Sequence, residues 1–160
     1  MTFKNLGHYH VWAGQRTREM IVQLDDKAFG KKVRGKSVKD LCEHTVLALE
    51  TCFFVADNSS DESVFDRVSS LSRKELMTRW VDLDRRLGRI IEEIPQGKIR
   101  VGHISDKPFE LDALDFFLQY VIHTTHHRGQ IAMTLRALGI DVVGTDYILF
   151  LSKDAEDWLH

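Results

Sequence analysis

Eight histidines occur in the chain, and three of them fall inside the run HTTHHRGQ at residues 123–130. Imidazole ligates divalent metals, and its ordinary pKa lies close to neutrality. Such a cluster therefore points to metal binding or to proton handling. At about 100° per residue on a helix, His127 lies about 40° from His123 and Gln130 about 20° to its other side. Phe116, Gln119 and Tyr120 fall on the same side, and His126 lies about 60° away, at the edge of the face. An i, i+4 histidine pair can aim two ring nitrogens at one ion.

Two imidazoles do not complete a site, and in a helical bundle a further ligand comes from a facing helix. His44 is the best-placed candidate, three residues after Leu41 and four before Ala48, on the side of its helix expected to be buried. His8 and His10 point about 200° apart, so only one of them can face inward. His103 and His160 lie outside the regular helical pattern. Each inward histidine would cost about 1–3 kcal/mol with its nitrogens unsatisfied, and one shared ion satisfies three at once.

Four stretches poor in glycine and proline supply the helices. Residues 72–94 begin with Ser72 and Glu75 as a capping box, with Leu71 and Leu76 as a hydrophobic staple. Leu76, Trp80, Leu83, Leu87, Ile90 and Ile94 then recur at helical spacing until Pro95 and Gly97. A second capping pair, Ser37 and Asp40, opens a helix over 37–57 whose inner stripe is Val38, Leu41, Thr45, Ala48 and Cys52. The first helix covers 3–24, with Leu6, Tyr9, Ala13, Met20 and Leu24 on one side, although Gly7 and Gly14 each cost it about 1 kcal/mol. The last long helix covers 111–138 and ends at Gly139. Its approach, 96–110, holds short extended pairing around 99–101. The tail 146–160 reads as a closing turn and short helix. The chain is read as one domain over 1–160, an all-α four-helix bundle.

Composition excludes several classes. The 160 residues carry 22 Lys+Arg against 24 Asp+Glu, a formal charge of −2, so the chain has no general attraction for nucleic acid or an anionic membrane. The basic run Lys31, Lys32, Arg34, Lys36 reads as a solvated loop. No window is apolar enough to span a bilayer, and the first residues lack the apolar segment of a signal peptide, so the cytoplasm is expected. Cys42 and Cys52 lie ten residues apart on one helix. Their α-carbons are then about 15 Å apart, well past the ~7 Å reach of a disulfide, so both are expected as buried thiols.

The segments LCEHTVLALE around His44 and HTTHHRGQIAMTLRALG from His123 resemble the DinB/YfiT-like family, as does YHVWAGQRTREMIVQL from Tyr9. The resemblance implies an up-down-down-up bundle with a crossover over 57–71. It also implies a divalent metal held by His44, His123 and His127, zinc first and nickel or iron after it, and a homodimer. Phe53 and Phe54 would add apolar surface for such a dimer. Gly129 is expected to let a neighbouring backbone approach, and Arg128 to make an ion pair or a subunit contact.

Three neutral imidazoles leave the ion its full charge and an open position, as in catalytic zinc sites. Such an ion would lower the pKa of bound water or of a thiol. Thr124 stands where a zinc peptidase has its glutamate base, and no carboxylate shares the His123/His127 face. His126 and Tyr120 are the possible proton handlers. Members of the wider superfamily look like S-transferases using low-molecular-weight thiols. The reading is therefore metal-dependent transfer of such a thiol to a small-molecule electrophile. Metal-dependent hydrolysis and a non-enzymatic, damage-induced metal-binding role are its alternatives.

Overall fold

The computed structural model describes residues 3–59, 63–102 and 107–152. In chain order its elements are α1 (Phe3–Ile21), α2 (Asp26–Phe29), α3 (Val38–Ala56), α4 (Val64–Ser69), α5 (Arg73–Glu92), β1 (Lys98–Val101), β2 (Phe109–Asp112), α6 (Ala113–Ala137) and α7 (Tyr147–Phe150). Both expected capping boxes form. The Asp40 amide donates to Ser37 Oγ at 3.0 Å and the Ser37 amide to Asp40 Oδ2 at 2.8 Å. Ser72 and Glu75 exchange the same pair of bonds at the start of α5. The first helix stops at Ile21, three residues early, where Val22–Leu24 close in tight turns and Asp25 caps the new helix α2. The extended segment at 99–101 pairs with Phe109–Asp112, so Leu111 and Asp112 belong to a strand and the last long helix begins at Ala113. The short helix of the tail is α7; 153–160, with His160, and His103 lie outside the described residues.

Side-chain pairs fix the directions of the bundle. Gly7 meets Gly88, and Arg73 donates to the Ile21 carbonyl, so α1 and α5 are antiparallel. Arg79 donates to Glu50 and Arg86 to Asp57, two pairs of equal sequence separation, so α3 and α5 run parallel. A parallel neighbour needs a crossover, and α4 lies in it. The β1–β2 hairpin then turns the chain back into α6, antiparallel to α5. The order is up-down-down-up, all-α apart from the small hairpin.

Trp80, Leu83, Leu87 and Ile91 of α5 pack in one core with Leu41, Val46, Leu49 and Cys52 of α3 and Phe116, Ile131 and Leu135 of α6. Cys42 and Cys52 are buried and free. The α5 stripe departs from the expected one at its end. Ile91 is buried, Ile90 only half-buried and Ile94 exposed, because the helix breaks off after Glu92 and Ile94 adopts a left-handed backbone. Phe53 adds nothing to the outer surface: it is 2% exposed, with Arg86 stacked on its ring 4.0 Å away.

The costly glycines of α1 have a use. A Cβ at Gly7 would collide with the Gly88 carbonyl, and one at Gly14 with the Asp84 carboxylate, so both let α1 close on α5. Gly129 does not do this, since a Cβ there would meet nothing within 4 Å. No helix among the described residues is long and apolar enough to cross a membrane.

Candidate metal centre

His123 and His127 stand one turn apart on α6, and His44 faces them from α3, the helix packed alongside. Their ligand nitrogens all lie within 4.8 Å of one another. His123 Nε2 is 3.0 Å from His127 Nε2, and the His44 ring centroid is 4.5 Å from that of His127 and 5.7 Å from that of His123. Nitrogens about 2.0–2.1 Å from a tetrahedral zinc stand about 3.3 Å apart, which falls inside this spread. Among the described residues no carboxylate or thiol joins the cluster.

Gln130 sets the tautomer of one ring. Its amide oxygen, which can only accept, is 2.8 Å from His127 Nδ1. Nδ1 therefore carries the proton and the Nε2 lone pair points at the cluster. The other half of the Gln130 amide donates to His126 Nε2 at 3.0 Å. Helical spacing puts Gln130 on the ligand face, but its use is visible only in the folded chain.

The depth of the site differs from expectation. His127 is 5% exposed, but His123 is half-buried and His44 exposed. On α3 the core takes Leu41, Cys42, Thr45, Val46 and Leu49, which turns His44 out to the rim. Unsatisfied burial of three histidines is therefore not what argues for an ion; convergence of three imidazole nitrogens at an accessible rim is. Partial burial, aided by the Lys36 charge, holds the His44 pKa below its usual value. Burial, followed by the charges of His44 and His126, does the same for His123. Burial takes His127 to about 4 against the opposing bond from Gln130. Neutral imidazole is the form that ligates a metal, so the donor set fits a divalent cation.

The remaining candidates lie elsewhere. His126 is exposed and outside the cluster. His8 pairs with Glu92 at the surface, while His10 is the inward one, fully buried with Nε2 3.0 Å from Asp84 Oδ1. Asp84 also meets Arg18 and accepts from Trp80 Nε1 at 3.2 Å. Burial opposes its charge, but His10 and Arg18 outweigh that and keep its pKa below the usual carboxylate range. This buried polar cluster lies outside the site that the sequence pattern indicates. Its signal was Asp84 itself, four residues after Trp80 and three before Leu87 on the apolar stripe. Arg128 makes no ion pair among the described residues. It donates to Thr125 Oγ1 at 2.6 Å and lies 5.6 Å from the Tyr9 ring centre. Tyr120 is buried, and burial raises its pKa above the usual phenol range, so it keeps its proton near neutrality.

The sequence pattern of the DinB family matches residues 1–157. No curated protein matches the chain. Among solved structures, the crystal structure of a candidate DinB-family member from Exiguobacterium sibiricum 255-15 superposes with a TM-score of 0.70. It is 18% identical, over 90% of this chain and 97% of that one, a likeness of fold.

Proposed function

The chain belongs to the DinB family, and on that premise we propose that it holds one divalent ion on His44, His123 and His127 and transfers a low-molecular-weight thiol to a small electrophile. The observation that carries this reading is the convergence of three neutral imidazoles, from two helices, at a rim open to solvent. Structural zinc usually closes its shell with four protein ligands, whereas three leave a position for a reactant. A bound divalent ion would supply the positive charge that makes a thiol acidic near neutrality. In the transfer the thiol proton passes to solvent, a sulfur–carbon bond forms, and the bond from that carbon to its leaving group breaks with the electron pair.

The nucleophile comes from outside the chain. Cys42 and Cys52 are buried, and burial pushes both thiols far above neutrality. Hydrolysis would need a base. Asp40 and Glu43 share a cavity with His44, but Asp40 accepts the Ser37 amide and Glu43 lies 3.5 Å from Lys39. Thiol transfer needs less from such a base and is the better reading. Zinc suits imidazole donors, and nickel and iron are the other candidates.

The test is turnover of a chromogenic electrophile by zinc-loaded protein. Turnover should require added thiol, stop with chelator, return with zinc, and be lost in His44→Ala. Turnover without thiol would favour hydrolysis; stoichiometric metal without turnover would favour a metal-binding role alone. A homodimer in the cytoplasm completes the proposal, resting on the family resemblance. Sedimentation of a concentration-independent monomer would remove the dimer.

A further inference from the structure

A cleft of about 370 Å3 opens beside the histidine cluster, between the turn that precedes α3 and the last turns of α6. Two residues tie it to the centre. Gln130, which holds His127, lines its wall, and Lys36 lines both this cleft and the smaller cavity around His44. Three cations, Arg34, Lys36 and Arg136, line it with no acidic residue among them. None of the three has a carboxylate partner among the described residues. The other cavities lined by arginines hold acidic residues beside them: Glu50, Glu75 and Asp82 with Arg79, and Asp82 and Glu92 with Arg85 and Arg89. In a chain with a net charge of −2, three unmatched cations in one cleft are a local excess.

The backbone adds an independent sign. Val33 and Lys36 exchange backbone bonds around a two-residue turn whose central residues, Arg34 and Gly35, have φ of 52° and 90°. Both positions of such a turn favour Gly, Asn or Asp, and an arginine at the first is strained. Strain at a residue that lines a cleft points to a use for its side chain there. Apolar side chains also line it, buried Leu41 and exposed Met133, so an occupant with a carbon skeleton fits better than an inorganic ion.

We propose that this cleft binds the carboxylate of a small organic acid, with Arg34 and Arg136 as the recognising groups and Lys36 between it and the histidines. This rests on the reading of the histidine cluster as the place where a small molecule is handled, and it makes that molecule an organic anion. Guanidinium groups suit the role because their forked N–H donors match a carboxylate.

The test uses the full chain, freed of metal by chelator and titrated calorimetrically with succinate. Saturable binding is expected, with no binding of succinamide at the same concentrations and weaker binding of inorganic phosphate. Arg34→Gln with Arg136→Gln should weaken succinate by about tenfold or more, the loss of at least one charge-assisted contact. Lys31→Gln with Lys32→Gln removes the same charge outside the cleft and should change it little. Absence of succinate binding, equal binding of succinamide or of phosphate, or an equal loss in the lysine pair would overturn the proposal. Cobalt uptake, read by visible absorbance on the same protein, reports separately on the metal. Its failure would sink the metal reading while the succinate titration still decides the cleft.

Discussion

Three rings on two helices bring their nitrogens within 4.8 Å of one another, so the contribution of each to metal binding is tested by removing it. His44→Ala, His123→Ala and His127→Ala should each strip most of the bound metal, measured by elemental analysis, while the far-UV spectrum stays helical. His126→Ala should keep the metal, because that ring packs against His127 with centres 5.2 Å apart but gives no nitrogen to the ligand set. Gln130→Ala should retain binding but weaken it about 10- to 100-fold, as expected when the partner that orients a ligand is lost. The pH dependence has a definite sign. All three imidazoles are held below their usual pKa, His127 at about 4. In the unfolded chain the same groups take protons near pH 6.5. As pH falls below 6.5 the unfolded state therefore binds more protons than the folded one, and stability is lost progressively until the folded values are passed. Metal-free protein should lose urea resistance between about pH 6.5 and 4, and metal affinity should fall over the same range. Unchanged affinity down to pH 4 would exclude imidazole ligation.

At the scale of elements, one substitution separates close packing from intrinsic helix preference. Gly→Ala inside a helix gains about 1 kcal/mol where the methyl meets nothing. Gly129→Ala should show that gain as a higher urea midpoint, whereas Gly7→Ala and Gly14→Ala should lower it, since their methyls strike the Gly88 carbonyl and the Asp84 carboxylate. The three glycines look alike in the sequence, because packing partners are not a local property. The same division runs through the rest of the fold. Helix starts at Ser37 and Ser72 were legible because a capping box is closed within four residues. Helix α4 was not, because six residues carry too little periodicity to stand out from a crossover. The ligand trio could be read from an i, i+4 spacing plus one resemblance, but the depth of His44 could not. A rotation of some tens of degrees separates rim from core on a helix, and neighbouring helices decide it. Asp84 was hidden for the opposite reason: a charge on an apolar stripe looks like an interruption until His10, Arg18 and Trp80 close around it.

For the whole molecule, an ion on the histidine cluster would clamp α3 to α6, two helices far apart in the chain that already share one core. An ion that binds the folded state and not the unfolded one adds stability by mass action, about 4 kcal/mol when the metal is a thousandfold above its dissociation constant. For a chain of 160 residues, each kcal/mol moves the melting temperature by about 2–4 °C, so zinc should raise it by about 8–16 °C. The rise will be smaller if loose histidines in the unfolded chain also take up zinc, and excess chelator should reverse it. The variants make the measurement specific to the clamp. His44→Ala leaves both α6 histidines in place but removes the only ligand on α3, so its melting temperature should barely respond to zinc. His126→Ala should respond as the parent does. Should His44→Ala gain as much as the parent, the i, i+4 pair on α6 alone would be holding the metal, and α3 would have no part in the site.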